Sequence, residues 1–93
     1  MTDMNTALDV RLISDIAGEL IAARQKFPSS ACCLAALMEE VGELAQAMLK
    51  HAAGKWPAER VREEAIQVAV MAIRCANEGD PSLTSVGYTE PGA

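Results

Sequence analysis

The chain has 93 residues, enough for one small domain, and 51% of them are apolar, although only Phe27, Trp56 and Tyr88 are aromatic. A chain this apolar folds around a core, here one built of aliphatic residues and methionine. Its 13 acidic residues outnumber its 8 lysines and arginines, which gives a net charge of −5 at pH 7. This balance argues against the clustered basic surface with which proteins bind a nucleic-acid polymer or an anionic membrane.

No stretch of the sequence is long and apolar enough to predict a transmembrane helix. The first residues lack a basic segment followed by an apolar run, so no secretory signal is predicted. Three cysteines, Cys32, Cys33 and Cys75, do not have the spacing of a zinc finger. We expect them to be small, reduced residues of the core in a cytoplasmic protein.

Apolar residues recur at helical spacing in three segments, which predicts three helices. The first helix is expected from about Thr6 to Gln25, because Pro28 disfavours the helical conformation in the residue before it. The second helix is expected from about Ala31 to Ala53. Ser29 or Ser30 stands just before it, and either side chain can cap its first turn.

The third helix is expected to begin at Pro57 or Ala58 and to end at Asn77 or Glu78, since Gly79 and the residues that follow it interrupt a helix. Residues 82–93 are rich in Ser, Thr, Gly and Pro and show no apolar periodicity. The sequence therefore predicts an all-α domain of three main helices over residues 1–81, followed by a C-terminal tail or arm over residues 82–93.

The third helix contains an unusually apolar run from Ala65 to Ile73, in which Gln67 is the single polar residue. A helix that is apolar on every face is buried on every face. Two other short helices do not easily enclose it, so we expect other copies of the chain to do so. The prediction is a helical bundle completed by homo-oligomerisation, as a dimer or a tetramer with closed symmetry.

The second helix carries an apolar stripe on one face and an acidic cluster on another. The stripe consists of Leu34, Leu37, Met38, Val41, Leu44, Ala45, Met48 and Leu49. Glu39, Glu40 and Glu43 lie on a different face and have no basic residue three or four positions away. Each like-charged pair at that spacing costs roughly 0.2–0.5 kcal/mol, and a bound cation would reverse the sign. Ala36 and Ala47 beside them leave room for another helix or a ligand.

The third helix offers a second oxygen pair, Glu64 and Gln67, which are one turn apart. Two such pairs on antiparallel helices can converge on one cation. Oxygen ligands without His or Cys favour Mg²⁺, or Mn²⁺, over zinc. From the pattern alone, a metal site and an ordinary acidic helix surface both stay open, because glutamate is a strong helix former.

Glu39-Glu40-x-x-Glu43, followed about twenty residues later by Glu63-Glu64-x-x-Gln67, resembles the MazG-like all-α nucleoside triphosphate pyrophosphohydrolases. The pattern of that family is EExxE, a spacer and ExxD. The resemblance covers roughly residues 27–80 and includes the apolar sequences that flank the two motifs. It implies that the chain hydrolyses a nucleoside triphosphate, often a deoxy or aberrant one, to the monophosphate and pyrophosphate.

The resemblance also implies roles for individual residues. Glu40, Glu43 and Glu64 would be Mg²⁺ ligands, and Glu39 would be a further ligand or would orient the attacking water. Gln67 stands where the family has Asp, and its amide oxygen can coordinate a metal without bringing a negative charge. This departure favours an alternative, in which the chain is a non-catalytic helical oligomer or a nucleotide-binding module. A di-iron carboxylate bundle is disfavoured, because the sequence lacks Glu-x-x-His pairs.

Four further residues are candidates for substrate binding. Lys55 lies where members of the family place basic residues to meet phosphate, although a solvated lysine explains it as well. Trp56 and Phe27 lie at helix boundaries, where each could stack on a base or pack between helices. Asn77 could hydrogen-bond a nucleotide, although Asn is also common where helices end. Arg60, four residues before Glu64, can pair with it or reach a phosphate.

Overall fold

The computed structural model describes residues 3–84, which form three long helices and one short one. Helix α1 spans Met4–Lys26, α2 spans Cys33–Ala52, α3 spans Ala58–Glu78 and α4 spans Pro81–Thr84. No strand occurs among these residues, so the prediction of an all-α fold with three main helices is confirmed. The long helices begin and end within two residues of the predicted positions.

The three long helices are arranged in an open layer with α3 in the middle. Among the described helices, α3 contacts both α1 and α2, whereas α1 and α2 do not contact each other. The buried residues lie on α2 and α3, and α1 contributes none. The core of the single chain is therefore the interface between α2 and α3: Cys33, Ala47, Ile66, Val70 and Arg74.

Helix α2 packs against α3 mainly through its small residues, while of its apolar stripe only Leu37 and Leu44 are half-buried. Cys33 and Ala47 are buried, and Ala36 lies half-buried on the same face. The stripe is largely at the surface, where five of its side chains are between 42% and 73% exposed: Leu34, Met38, Val41, Met48 and Leu49. Contiguous exposed apolar surface of this kind is typical of an interaction site.

Helix α3 is covered to a greater degree than the sequence analysis expected of a single chain. Eight of the nine residues from Ala65 to Ile73 are buried or half-buried, and only Ala72 is exposed. The two flanking helices shield most of the run because α3 lies between them. Oligomeric completion of the bundle stays a prediction, and its support is now the exposed stripe of α2.

The N-terminus of α2 is capped by a residue that follows α3. The Cys32 N–H donates to Asp80 Oδ1 at 2.9 Å, and the Leu34 N–H donates to Asp80 Oδ2 at 2.9 Å. The predicted cap is therefore wrong, since the Ser29 hydroxyl instead accepts from the Ala31 N–H, outside the helix. Ser30 contributes its carbonyl, which accepts from the Cys33 N–H.

Two smaller expectations also change. Cys32 is exposed, so only Cys33 is a buried core residue, while Cys75 is half-buried; all three thiols are free. Residues 82–84 of the predicted tail belong to α4, and residues 85–93 lie outside the described part of the chain. No helix among residues 3–84 is long and apolar enough to span a membrane.

Candidate metal centre

Helices α2 and α3 bring three glutamates together at their interface. One carboxylate oxygen each of Glu40, Glu43 and Glu64 lies within 4.8 Å of the other two. All three side chains are half-buried. Glu40 and Glu43 lie one turn apart on α2, and Glu64 faces them from the antiparallel α3. The predicted convergence of these residues is thus present in the structure, and we call the three the carboxylate cluster.

Small residues on α2 allow this approach. Ala36 lies one turn before Glu40, and Ala47 lies one turn after Glu43, on the side that faces α3. Ala47 is 0% exposed, and on α3 the neighbouring Ile66 and Val70 are buried as well. The backbones of α2 and α3 can come close because the side chains of Ala36 and Ala47 are small. Of the two occupants predicted for the space beside the glutamates, another helix or a ligand, the structure shows a helix, α3.

Glu40 has the most unfavourable environment in the cluster. Its Oε2 atom is buried and is the only such side-chain atom among the described residues without a hydrogen-bond partner. Burial, followed by the charges of Glu43 and Glu64, raises the pKa of Glu40 from its ordinary value of 4.5 to about 7. Both causes penalise the ionised form. A cation bound between the three carboxylates would offset both causes, because it would neutralise their charge and coordinate the Oε2 atom of Glu40.

One basic side chain already contacts the cluster. Arg60 Nε lies 3.2 Å from Glu64 Oε1, so the sequence-based pairing of these two residues is confirmed. The Arg60 guanidinium also lies over the Trp56 ring, 4.7 Å from its centroid. Arg60 thus links Trp56 to the cluster. One arginine does not balance three carboxylates, so the cluster keeps a net negative charge when it is ionised.

Gln67 does not carry a free amide. Its Nε2 donates to Glu19 Oε2 on α1 at 3.3 Å, and its side chain is half-buried. An aspartate at this position would place a second carboxylate against Glu19, whereas the amide makes a hydrogen bond there. Sequence reasoning missed Glu19, because it is 48 positions from Gln67 and only the fold brings the two together.

The outlying glutamates of the two motifs lie at the surface. Glu39 and Glu63 are both exposed and do not belong to the group of converging oxygens. Glu39 is nevertheless close enough for its charge to add to the raised pKa of Glu40. Its position is that of a solvent-facing carboxylate beside the cluster.

A pocket of about 350 Å³ adjoins the carboxylate cluster. Glu40 and Gln67 form part of its wall, together with Phe27, Ser29 and Arg74. Phe27 is 59% exposed at its edge. Arg74 is almost completely buried; its Nη2 lies 2.9 Å from Glu78 Oε1 and 3.4 Å from the Pro28 carbonyl. Arg74 was missed by sequence reasoning, since it follows an apolar run and no motif marks it.

The other predicted substrate residues lie away from this pocket. Lys55 and Trp56 belong to the loop between α2 and α3, where both of their backbone N–H groups donate to the Lys50 carbonyl. The Trp56 carbonyl lies 2.9 Å from His51 Nδ1. Asn77 is exposed near the C-terminus of α3 and does not line the pocket. Of the four candidates, the structure brings only Phe27 to the pocket wall.

Comparisons of the chain with protein-family models, with curated proteins and with solved structures find no match. The resemblance to the MazG-like enzymes therefore rests on the sequence, in the two acidic motifs and the apolar residues that flank them.

Proposed function

We propose that this protein is a Mg²⁺-dependent nucleoside triphosphate pyrophosphohydrolase, which converts a nucleoside or deoxynucleoside triphosphate to the monophosphate and pyrophosphate. The observation that carries the proposal is the convergence of Glu40, Glu43 and Glu64 at the α2–α3 interface, with one buried oxygen left without a partner. Such an enzyme acts on the free nucleotide and not on a nucleic-acid polymer, and we propose that it works in the cytoplasm.

The donor set of the cluster fits a hard divalent cation. It offers carboxylate oxygens from three side chains, and no His or Cys belongs to it among the described residues. Oxygen ligands of this kind suit Mg²⁺ and Mn²⁺. When bound, Mg²⁺ supplies charge neutralisation for the phosphates and makes water a better nucleophile. We assign Glu40, Glu43 and Glu64 as its ligands, and the amide oxygen of Gln67 as a neutral one.

The neighbouring pocket fits the nucleoside part of the substrate. Glu40 and Gln67 belong both to the pocket wall and to the metal region, so a nucleotide in the pocket directs its phosphates toward the cluster. The exposed Phe27 ring at the edge can stack on a base. Glu39, exposed beside the cluster, accepts a proton from the attacking water or orients it. Lys55, at the loop end of α2, is assigned to an outer phosphate.

A second function, a nucleotide-binding module without hydrolysis, is favoured by Gln67. Its amide is held by Glu19 and brings no charge to the metal. A site with three carboxylates and one arginine partner binds a cation less strongly than one with a fourth carboxylate. Binding of a nucleotide with Mg²⁺, without any release of pyrophosphate, would identify this function.

Pyrophosphate release separates the two functions. Wild-type protein should release pyrophosphate from nucleoside triphosphates in the presence of Mg²⁺, and EDTA should stop the reaction. Glu43→Gln should lower the rate by roughly 100-fold or more, because a charged ligand is lost. Glu59→Gln is the matched control, since Glu59 is exposed on the first turn of α3 outside the cluster. Equal turnover in all three proteins would contradict the assigned site.

We further propose that the protein is a dimer or a tetramer in solution. The open layer leaves α1 and α2 apart, and the apolar stripe of α2 is exposed in the single chain. A second copy packed on the stripe would close the bundle. Light scattering should give an oligomeric mass for wild type and a monomeric mass for Val41→Glu, with Gln46→Glu, on an exposed polar position of α2, as control. A monomeric wild type would refute this.

A further inference from the structure

Two cysteine thiols meet between α2 and α3, at the end of the pocket away from the carboxylate cluster. Cys33 Sγ lies 2.6 Å from Cys75 Sγ, although the two residues are 42 positions apart in the chain. Both cysteines are free. A disulfide joins sulfurs about 2.05 Å apart, so these thiols need little movement to bond. The proposed hydrolase chemistry uses neither of them.

The two thiols differ in their access to solvent. Cys33 is 2% exposed, and its Sγ also donates to the Met71 carbonyl at 3.6 Å. Cys75 is half-buried. Cys32 is exposed beside Cys33, but it lies outside the contact and has a positive φ of 63° at the start of α2. A thiol reagent therefore reaches Cys75 before Cys33.

We propose that Cys33 and Cys75 form a reversible dithiol–disulfide site, which exchanges with low-molecular-weight disulfides such as oxidised glutathione. In the first step the Cys75 thiolate attacks one sulfur of oxidised glutathione. The glutathione S–S bond breaks, a mixed disulfide forms on Cys75, and one glutathione thiolate leaves. In the second step Cys33 gives up its proton, its sulfur attacks the Cys75 sulfur, the mixed disulfide breaks and the second glutathione leaves. The two thiol protons pass to the two glutathiones, which are reduced as the cysteines are oxidised.

Burial sets this order of attack. In the dithiol state, burial and the hydrogen bond with Cys75 raise the pKa of the Cys33 thiol to about 12, so Cys33 is protonated at neutral pH before Cys75 has reacted. The thiolate is the nucleophile in exchange, and a thiol held protonated does not start the reaction. The product disulfide joins the first turn of α2 to the last turns of α3. It thereby fixes together the two helices that carry the carboxylate cluster.

The test uses Cys32→Ser, in which Cys33 and Cys75 are the only thiols, and Cys33→Ser, which keeps Cys32 and Cys75. Each folded protein is equilibrated with oxidised and reduced glutathione, alkylated with N-ethylmaleimide, and weighed by intact mass spectrometry. We expect Cys32→Ser to become two hydrogen atoms lighter and to take up no maleimide. Cys33→Ser should form no internal disulfide. Dithiothreitol should restore both thiols of Cys32→Ser.

Thermal unfolding gives the second readout. The internal disulfide of Cys32→Ser should raise the Tm by ~10–20 °C, because it closes a long loop in the unfolded chain. The proposal is overturned if Cys32→Ser acquires only glutathione adducts or intermolecular links. It is also overturned if the two variants form internal disulfides equally, or if the disulfide lowers the Tm of Cys32→Ser. None of these outcomes depends on hydrolase activity, so they are independent of the proposed function.

Discussion

Replacing Glu40 with glutamine should stabilise the metal-free protein at alkaline pH. Burial and the neighbouring carboxylates raise the pKa of Glu40 from 4.5 to about 7, so the folded state resists its ionisation. A change of one in a pKa corresponds to about 1.4 kcal/mol. After a reduction for solvent screening, ionised Glu40 lowers the stability of the folded state by roughly 2–3 kcal/mol at pH 8. Glutamine has nearly the same shape and no charge, so Glu40→Gln removes the cost.

The sign of the pH dependence follows from proton binding. Between pH 4.5 and about 7 the folded state holds more protons on Glu40 than the unfolded state does, so the contribution of Glu40 to wild-type stability rises as the pH falls through this range. The difference in stability between Glu40→Gln and wild type should therefore be largest near pH 8 and should shrink toward pH 5. In the difference between the two proteins, the contributions of all other titrating groups that the substitution leaves unchanged cancel.

Urea unfolding in EDTA at several pH values measures this difference. Glu40→Gln should have a higher midpoint than wild type at pH 8, whereas Glu59→Gln should not, because Glu59 is an exposed acid that favours the first turn of α3. Excess Mg²⁺ at pH 8 should stabilise wild type and should have less effect on Glu40→Gln, because a ligand bound only by the folded state raises its stability. If Glu40→Gln is less stable than wild type at pH 8, ionised Glu40 does not destabilise the folded state.

Three other changes test the surroundings of the cluster. Gln67→Asp should tighten Mg²⁺ binding in a calorimetric titration by roughly 10-fold or more, because it adds a charged ligand. The new carboxylate should also lower the stability of the metal-free protein, because it lies against Glu19. An unchanged Mg²⁺ affinity would place Gln67 outside the site. Ala47→Leu should destabilise the fold by ~1–3 kcal/mol in urea unfolding, since it overpacks the α2–α3 interface, whereas the same change at the exposed Ala45 should cost much less. Asp80→Ala should lower the Tm, because it removes the cap of α2. Hydrogen bonds from Ser82 and then Leu34 hold the pKa of Asp80 below its ordinary value. The difference in Tm between wild type and Asp80→Ala should therefore narrow only in acid, as the pH falls below about 4.

The helices and the acidic cluster could be predicted from local patterns. The apolar period and the breaks at Pro28 and Gly79 placed the helix ends to within two residues. The spacing of Glu40 and Glu43 put two carboxylates on one face, and the antiparallel order of α2 and α3 brought Glu64 opposite them. These features depend on helix geometry and on a short connection, both of which a sequence displays directly.

Contacts between distant positions could not be predicted in the same way. Asp80 caps α2 from 46 and 48 positions away, and Glu19 meets Gln67 across 48 positions. No local pattern marks either pair, because each depends on how the helices lie in the layer. The side of α2 that meets α3 was only partly foreseen, since an apolar stripe around Val41 ordinarily indicates the buried face of a helix. Here the small residues beside the carboxylates pack inward.

We propose that the carboxylate cluster serves cleavage between the α- and β-phosphates of a nucleoside triphosphate. Phosphorus NMR of the products, recorded with wild-type protein and Mg²⁺, tests it most directly. The expected products are a nucleoside monophosphate and pyrophosphate, with no orthophosphate, and no reaction is expected in EDTA. A diphosphate with orthophosphate, or an unchanged triphosphate after prolonged incubation with Mg²⁺, would contradict it.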